Sequence, residues 1–309
     1  MKKIINLFLV GVLATGLSSC LKDDTMIGPD SPGAIKNVIE FANPDYISSP
    51  TSSNYPVYVK SFDIAPTGKL SVTVNYAGVD NAPQDIQVKV ALDPAVLAAY
   101  NAKIVKDARD AATELGEDPD DAEEDVQGDL FEPLDPSLYS LGNLDLVIPA
   151  GKRTATLDVD LKPDQFSFTK NTALAFKIVS ASTGVISGNF GSIIVQIGAK
   201  NAYDGTYTLK TSAATALVPN ANKTVTLATI SATTVKLSPG LLGTYTNEVT
   251  YTIDPATNGV RVTCPSLGVQ EPQDARSKWD PATKTLTVFW KQGNGARTFE
   301  ETFTYKGSR

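Results

Sequence analysis

Histidine is missing from all 309 residues. That absence removes Ser-His and Cys-His catalytic arrangements, histidine zinc sites and the usual general base together. Cysteine occurs only at positions 20 and 264, too few to build a disulfide framework. Basic charge is in deficit, 27 Lys and Arg against 34 Asp and Glu, for a formal net charge of −7. No positive field exists to gather nucleic acid or anionic lipid, so neither is expected as a partner. Long apolar runs are also lacking: the longest, near the N-terminus, is shorter than the roughly 20 residues that span a bilayer. What remains, 42% hydrophobic with 22 Gly and 19 Pro, is the composition of a globular chain long enough for two domains.

The first residues carry an address. Lys2 and Lys3 precede the mostly apolar Ile4 to Leu13 and the small-residue stretch Ala14 to Ser19, the pattern of a signal peptide over 1–19. Leu17-Ser18-Ser19-Cys20 resembles the bacterial lipobox, which makes Cys20 the expected lipidation site, its sulfur forming the thioether to diacylglycerol. Two or three acyl chains hold a protein on a membrane without any spanning helix. Leu21-Lys22-Asp23-Asp24 resembles the signal that sends Bacteroidetes lipoproteins across the outer membrane, with Lys22, Asp23 and Asp24 as the export residues. Residues 20–34, with Gly28-Pro29-Asp30-Ser31-Pro32-Gly33, have the composition of a flexible tether. The expected location is the exposed face of the outer membrane, with the N-terminal lipid as the membrane contact. Lipidation of Cys20 leaves Cys264 unpaired, a small core hydrophobe.

Residues 35–199 are expected to form an N-terminal domain. Val57, Val59, Phe62 and Ile64 alternate with polar residues, as do Leu70, Val72, Val74 and Tyr76, and then Ile86, Val88, Val90 and Leu92. Asp93-Pro94 opens a helix, Asp as N-cap and Pro at N1. Its apolar stripe is Leu97, Tyr100, Ile104, Ala108, Ala111 and Leu115. The acid run Glu117 to Asp125 lacks the Gly and the final Glu of an EF-hand loop, so no metal site is assigned and a solvated, mobile insertion is expected over about 94–132. Strand patterns resume at Leu144 and run to Ile197, about seven strands in all. The fold class is mainly β: an immunoglobulin-like sandwich with a helical acidic insertion. Residues 203–309 alternate through Val225/Leu227, Val235/Leu237, Val249/Tyr251/Ile253 and Val260/Val262 to a hairpin around Gln292-Gly293-Asn294-Gly295. They suit a small antiparallel sandwich or open barrel.

Several elements together resemble a Bacteroidetes family of surface lipoproteins with domains of unknown function. They are Asp93 with Tyr100-Asn101, Glu132-Pro133-Leu134, Tyr139, Ile148-Pro149-Ala150-Gly151 and Asn201-Ala202-Tyr203-Asp204-Gly205-Thr206-Tyr207. Asp254-Pro255-Ala256-Thr257 and Trp279-Asp280-Pro281-Ala282-Thr283-Lys284 resemble the companion domain that follows. This chain departs from the pattern in its acidic insertion and in the order Pro133-Leu134. The resemblance implies non-catalytic capture or presentation of glycans beside outer-membrane polysaccharide importers. It carries over no catalytic residues and no cofactor.

Sugars stack their C–H faces on aromatic rings while amides and carboxylates bond their hydroxyls. The candidate rings are Trp279, in a polar turn segment, Trp290 and Phe289, adjacent on the last hairpin, and Tyr245, after Gly243. A glycosidase needs two facing carboxyls. Glu300 and Glu301 point to opposite strand faces, and Asp254 and Asp280 open Asp-Pro turns whose side chains cap local backbone. A structural or adhesive role through protein contacts is the alternative.

Overall fold

The computed structural model describes residues 37–42, 46–50 and 53–309. Cys20, Lys22, Asp23 and Asp24 lie outside them. In the N-terminal half, β1 (Asn37–Phe41), β2 (Val57–Asp63), β3 (Gly68–Gly78) and β4 (Ile86–Leu92) precede α1 (Pro94–Leu115) and α2 (Pro119–Val126). Seven strands follow: β5 (Glu132–Pro133), β6 (Tyr139–Leu141), β7 (Asp145–Ile148), β8 (Thr154–Leu161), β9 (Thr172–Ala181), β10 (Val185–Ile186) and β11 (Ser192–Lys200). They form two sheets, ordered β10-β1-β3-β8-β6 and β2-β11-β9-β4-β7, with β5 beside β9. Ile39, Val74, Val159, Ile86, Ile148 and Phe176 meet between the sheets, all buried. The sheets are mixed, since β1/β10, β2/β11 and β5/β9 pair in parallel.

Asp93 caps α1 by accepting the Ala95 N–H at 3.0 Å, and Gly116 ends the helix at φ 74°, the left-handed conformation a side chain resists. Only the first turns of α1 dock. Val96, Leu97 and Tyr100 pack with Phe131 on Val57, Ala173, Ala175 and Ile194, the outer face of the second sheet. This corrects two expectations. Leu115 is 73% exposed, because the last turns of α1 leave the sheet. Val59 is half exposed whereas Tyr58 is buried, because a helix on the sheet's outer face lets β2 bury Val57 on one side and Tyr58 on the other. The acid run is solvated, with no buried residue, and it is helical: Asp118 and Pro119 repeat the cap chemistry of Asp93 and Pro94, and α2 pairs back on α1 through Arg109 with Asp120 and Glu123 at 2.6 and 2.8 Å.

The C-terminal half is one eight-stranded antiparallel sheet: β12 (Gly205–Thr211), β13 (Asn222–Thr229), β14 (Thr234–Ser238), β15 (Thr250–Ile253), β16 (Val260–Thr263), β17 (Lys278–Asp280), β18 (Thr285–Lys291) and β19 (Thr298–Gly307). Its order is β16-β15-β14-β13-β12-β19-β18-β17, and the two edges meet. Gly259 bridges Lys278, the Val260 N–H donates to the Ser277 carbonyl at 3.1 Å, and the Trp279 N–H donates to the Asn258 carbonyl at 2.9 Å. The sheet is therefore a small barrel, filled by alternate residues of every strand, among them Tyr207, Leu227, Leu237, Tyr251, Val262, Cys264, Val288 and Phe303. Burying each large side chain contributes roughly 1.5–3 kcal/mol.

Candidate functional site

β11 ends at Lys200 and β12 begins at Gly205, and the residues between are pinned to the barrel. Asn201 Nδ2 donates to the carbonyls of Ser231 and Thr234 at 2.8 and 3.0 Å, and its Oδ1 accepts the Tyr203 N–H at 3.0 Å. Asp204 accepts the Thr229 N–H at 2.7 Å and Arg309 Nε at 2.8 Å. The Tyr207 hydroxyl donates to the Tyr203 carbonyl at 2.8 Å. Gly205 is required because a Cβ there would lie 2.5 Å from the Tyr305 ring. The Asn-Ala-Tyr-Asp-Gly motif thus ties the incoming chain to the barrel through Thr229, Ser231, Thr234 and Arg309.

Beside this junction lies a cleft of about 940 Å³, walled by Val59, Ser61 and Ile64 of the sandwich and by Tyr203, Trp279 and Tyr305 of the barrel. Tyr203 and Trp279 meet edge to face, 5.1 Å between centroids at 83°, an arrangement that suits the ring quadrupoles. The Tyr305 ring carries Lys284 Nζ at 4.7 Å. Pro255 and Pro281 reach the cleft from two turns of matching sequence and geometry. Asp254 accepts the Ala256 N–H at 2.9 Å and the Thr257 hydroxyl at 2.8 Å; Asp280 accepts the Ala282 N–H at 2.9 Å and the Thr283 hydroxyl at 2.7 Å. These bonds hold both carboxyls below their ordinary value, the Ala256 N–H foremost at Asp254 and the Thr283 hydroxyl foremost at Asp280. Each turn closes on a left-handed residue, Asn258 at φ 57° and Lys284 at φ 49°.

Two carboxylates line the cleft, and cations hold both: Asp63 with Lys200 at 3.6 Å, Asp204 with Arg309 at 2.8 Å. Burial, then the charge of Asp254, raises the Tyr203 phenol, which favours its neutral form. The cleft therefore offers aromatic edges, prolyl rings and fixed polar groups. Among the described residues no three of His, Cys, Asp and Glu are grouped to hold a metal ion.

The four candidate rings do not converge. Trp279 is 6% exposed, facing into the barrel's end from β17 rather than standing free in a turn, and its edge lines the cleft. Trp290 is inside the barrel, stacked on Phe299 at 4.2 Å. Phe289 is half-buried on the outer wall, beneath the Arg276 guanidinium at 4.2 Å. Tyr245, 37% exposed in the β14–β15 connection, is not among the cleft residues. Sequence reasoning missed Tyr203 and Tyr305 as cleft rings, although Tyr203 stands within the boundary motif. Of the pair placed on opposite strand faces, Glu301 is the inward one, 1% exposed inside the barrel, accepting the Tyr251 hydroxyl at 2.6 Å and Trp290 Nε1 at 3.1 Å. Burial raises its carboxyl above the ordinary value, against the two donors.

Residues 41–185 match a family model described as an N-terminal domain, and residues 205–307 match a domain of unknown function, DUF7015. No curated protein matches the chain. Among solved structures, a Bacteroides ovatus protein of unknown function is 13% identical, covering 87% of this chain and 93% of its own, at a TM-score of 0.49. A multidomain protein including DUF1735 from Bacteroides ovatus is 12% identical, covering 86% of this chain and 92% of its own, at 0.45. An auxiliary nutrient binding protein from Bacteroides thetaiotaomicron is 14% identical, covering 85% of this chain and 94% of its own, at 0.42.

Proposed function

We propose that this protein is a surface-exposed outer-membrane lipoprotein, anchored through Cys20, that captures a glycan without chemistry of its own and presents it to a neighbouring import complex. The observation that carries the binding half of this reading is the cleft between sandwich and barrel. Its volume of about 940 Å³ lies near the top of the roughly 300–1,000 Å³ range of ligand sites, room for several sugar rings. Its walls supply what a sugar needs, apolar ring edges beside polar groups already fixed by hydrogen bonds. Because Asn201 and Asp204 pin the junction to the barrel, the barrel wall of the cleft is ordered without a ligand, which lowers the ordering cost of binding. The non-catalytic half rests on the two cleft carboxylates, each engaged by a cation and so poorly suited to the proton transfers of a glycosidase.

Affinity electrophoresis of the full-length protein in detergent, against glycogen, galactomannan, xyloglucan and polygalacturonate, tests the binding reading. Val59→Arg is the control, because Val59 is 49% exposed and lines the cleft without serving the core. Retardation by one polysaccharide, abolished in Val59→Arg, supports it. Retardation by none would shift the reading to the structural or adhesive alternative. Replacing Cys20 by Ser should move the protein from the membrane fraction to the soluble one; retention on membranes would overturn the anchoring.

A further inference from the structure

The outer wall of the barrel carries a second concavity, of about 230 Å³, between β18, β19 and the connection that joins β16 to β17. Its floor is Phe289, which faces outward because Trp290 and Val288 take the inward positions of β18. The connection is fastened there by Ser277, a buried side chain whose hydroxyl donates to the Phe289 carbonyl at 3.1 Å and accepts the Phe289 N–H at 2.9 Å. Arg276, next to Ser277, lies over the Phe289 ring, and its Nε and Nη2 are engaged by Asp274 at 3.0 and 2.6 Å. The guanidinium is thus held flat with Nη1 uncommitted. Around it stand Lys291 and Glu300, the latter directly opposite Phe289 on β19. Among the described residues, neither of these two side chains makes a hydrogen bond within the protein.

The charges here cancel, Arg276 and Lys291 against Asp274 and Glu300, which selects against a strongly anionic or cationic ligand. What is left is a rigid planar donor, a mobile donor and a strong acceptor around an apolar face, the complement of one uncharged polyhydroxylated ring. The volume falls below the roughly 300 Å³ at which pockets begin to enclose larger ligands, so a single ring is the fit. Lys284 lines the cleft and Lys291 lines this groove. From Thr285, next to Lys284, to Lys291 the strand β18 runs about 20 Å at roughly 3.3 Å per residue.

We propose that this groove is a second saccharide subsite, which takes one neutral sugar ring of a polymer whose other rings occupy the cleft. The proposal rests on the glycan reading above and deepens it, because two linked subsites favour long chains over short ones through effective concentration. Arg276 and Phe289 are its binding residues.

The test uses the full-length protein in detergent and whichever of glycogen, galactomannan or xyloglucan retards it, beside the disaccharide of the same linkage. In Phe289→Ala and Arg276→Lys, affinity for the polymer should fall on the order of 100-fold, the scale of a lost bivalent contact, while affinity for the disaccharide stays unchanged. Arg276→Lys keeps the charge and loses the planar guanidinium with its paired bonds to Asp274, so a loss identifies the flat, held donor. Unchanged polymer affinity in both variants, with Val59→Arg still abolishing binding, overturns the subsite and leaves the cleft reading standing. Preference for polygalacturonate over the neutral polymers overturns the assignment of a neutral ring. Absence of binding to every polysaccharide by the wild type overturns the glycan reading and the subsite with it. Circular dichroism of each variant confirms that a loss is not unfolding.

Discussion

Replacing Glu301 in two ways separates what its hydrogen bonds contribute from what its charge costs. Both carboxyl oxygens accept, one from the Tyr251 hydroxyl and one from Trp290 Nε1, inside the barrel. Glu301→Leu leaves both donors buried without an acceptor, at roughly 1–3 kcal/mol each, partly offset by the added apolar contact. For a domain of this size each kcal/mol lowers the midpoint by about 4–8 °C. Glu301→Gln keeps the Trp290 bond through its amide oxygen and reverses the other, the amide nitrogen donating to the Tyr251 oxygen, so that one hydroxyl proton rather than two donors is left without its acceptor. The pH dependence then carries the sign. Burial places the folded carboxyl above its ordinary value of 4.5, so above that pH the unfolded chain releases a proton that the folded chain still holds. Wild-type stability falls as pH rises through this window, by up to about 1.4 kcal/mol per unit, and levels off once the folded carboxyl also ionises. Glu301→Gln lacks that slope. Thermal denaturation followed by circular dichroism from about pH 4 to about pH 8 should show the Gln variant gaining on the wild type as pH rises, with Leu below both. Parallel curves for Gln and wild type, or a Leu variant as stable as wild type, would refute the reasoning.

Tyr58 is buried with its hydroxyl unpartnered among the described residues, so Tyr58→Phe should match or exceed wild-type stability by up to about 1–3 kcal/mol in urea denaturation; a clear loss would show that the hydroxyl is satisfied. Asn201→Ala removes two donors and one acceptor at the junction, and a loss of about 1–3 kcal/mol, with faster amide exchange of Tyr203, is expected. The carboxyls of Asp254 and Asp280 are lowered in the folded state, so their turns support stability above the ordinary aspartate value of 3.8 and lose that support as pH falls through the lower folded value. Asp254→Asn combined with Asp280→Asn should flatten this acid-side slope, read by the same denaturation.

Period-two alternation made most of the long strands legible, β3, β4 and β8 and nearly all of the barrel, because each buries one face. β2 misled because α1 covers its outer face and buries Val57 there. β5 and β10 are two residues long and show no period at all. α2 was hidden by its acids, yet Asp118-Pro119 offers the same cap signal as Asp93-Pro94. The candidate site was legible only piecewise. Trp279 and the paired Asp-Pro turns stand out locally, but the cleft joins Val59 to Arg309, and no local pattern reports a contact across that separation. Glu301 illustrates the same limit: alternation put Glu300 and Glu301 on opposite faces, and only barrel closure decides which faces inward.

Intrinsic fluorescence tests the cleft most directly, because the chain has two tryptophans and only Trp279 lines it. Titration with the retarding polysaccharide should change the emission saturably in the wild type, the change vanishing in Trp279→Phe while that variant still binds in electrophoresis. Retention of the full change in Trp279→Phe, or binding with Val59→Arg undiminished, would contradict a glycan seated between the sandwich and the barrel.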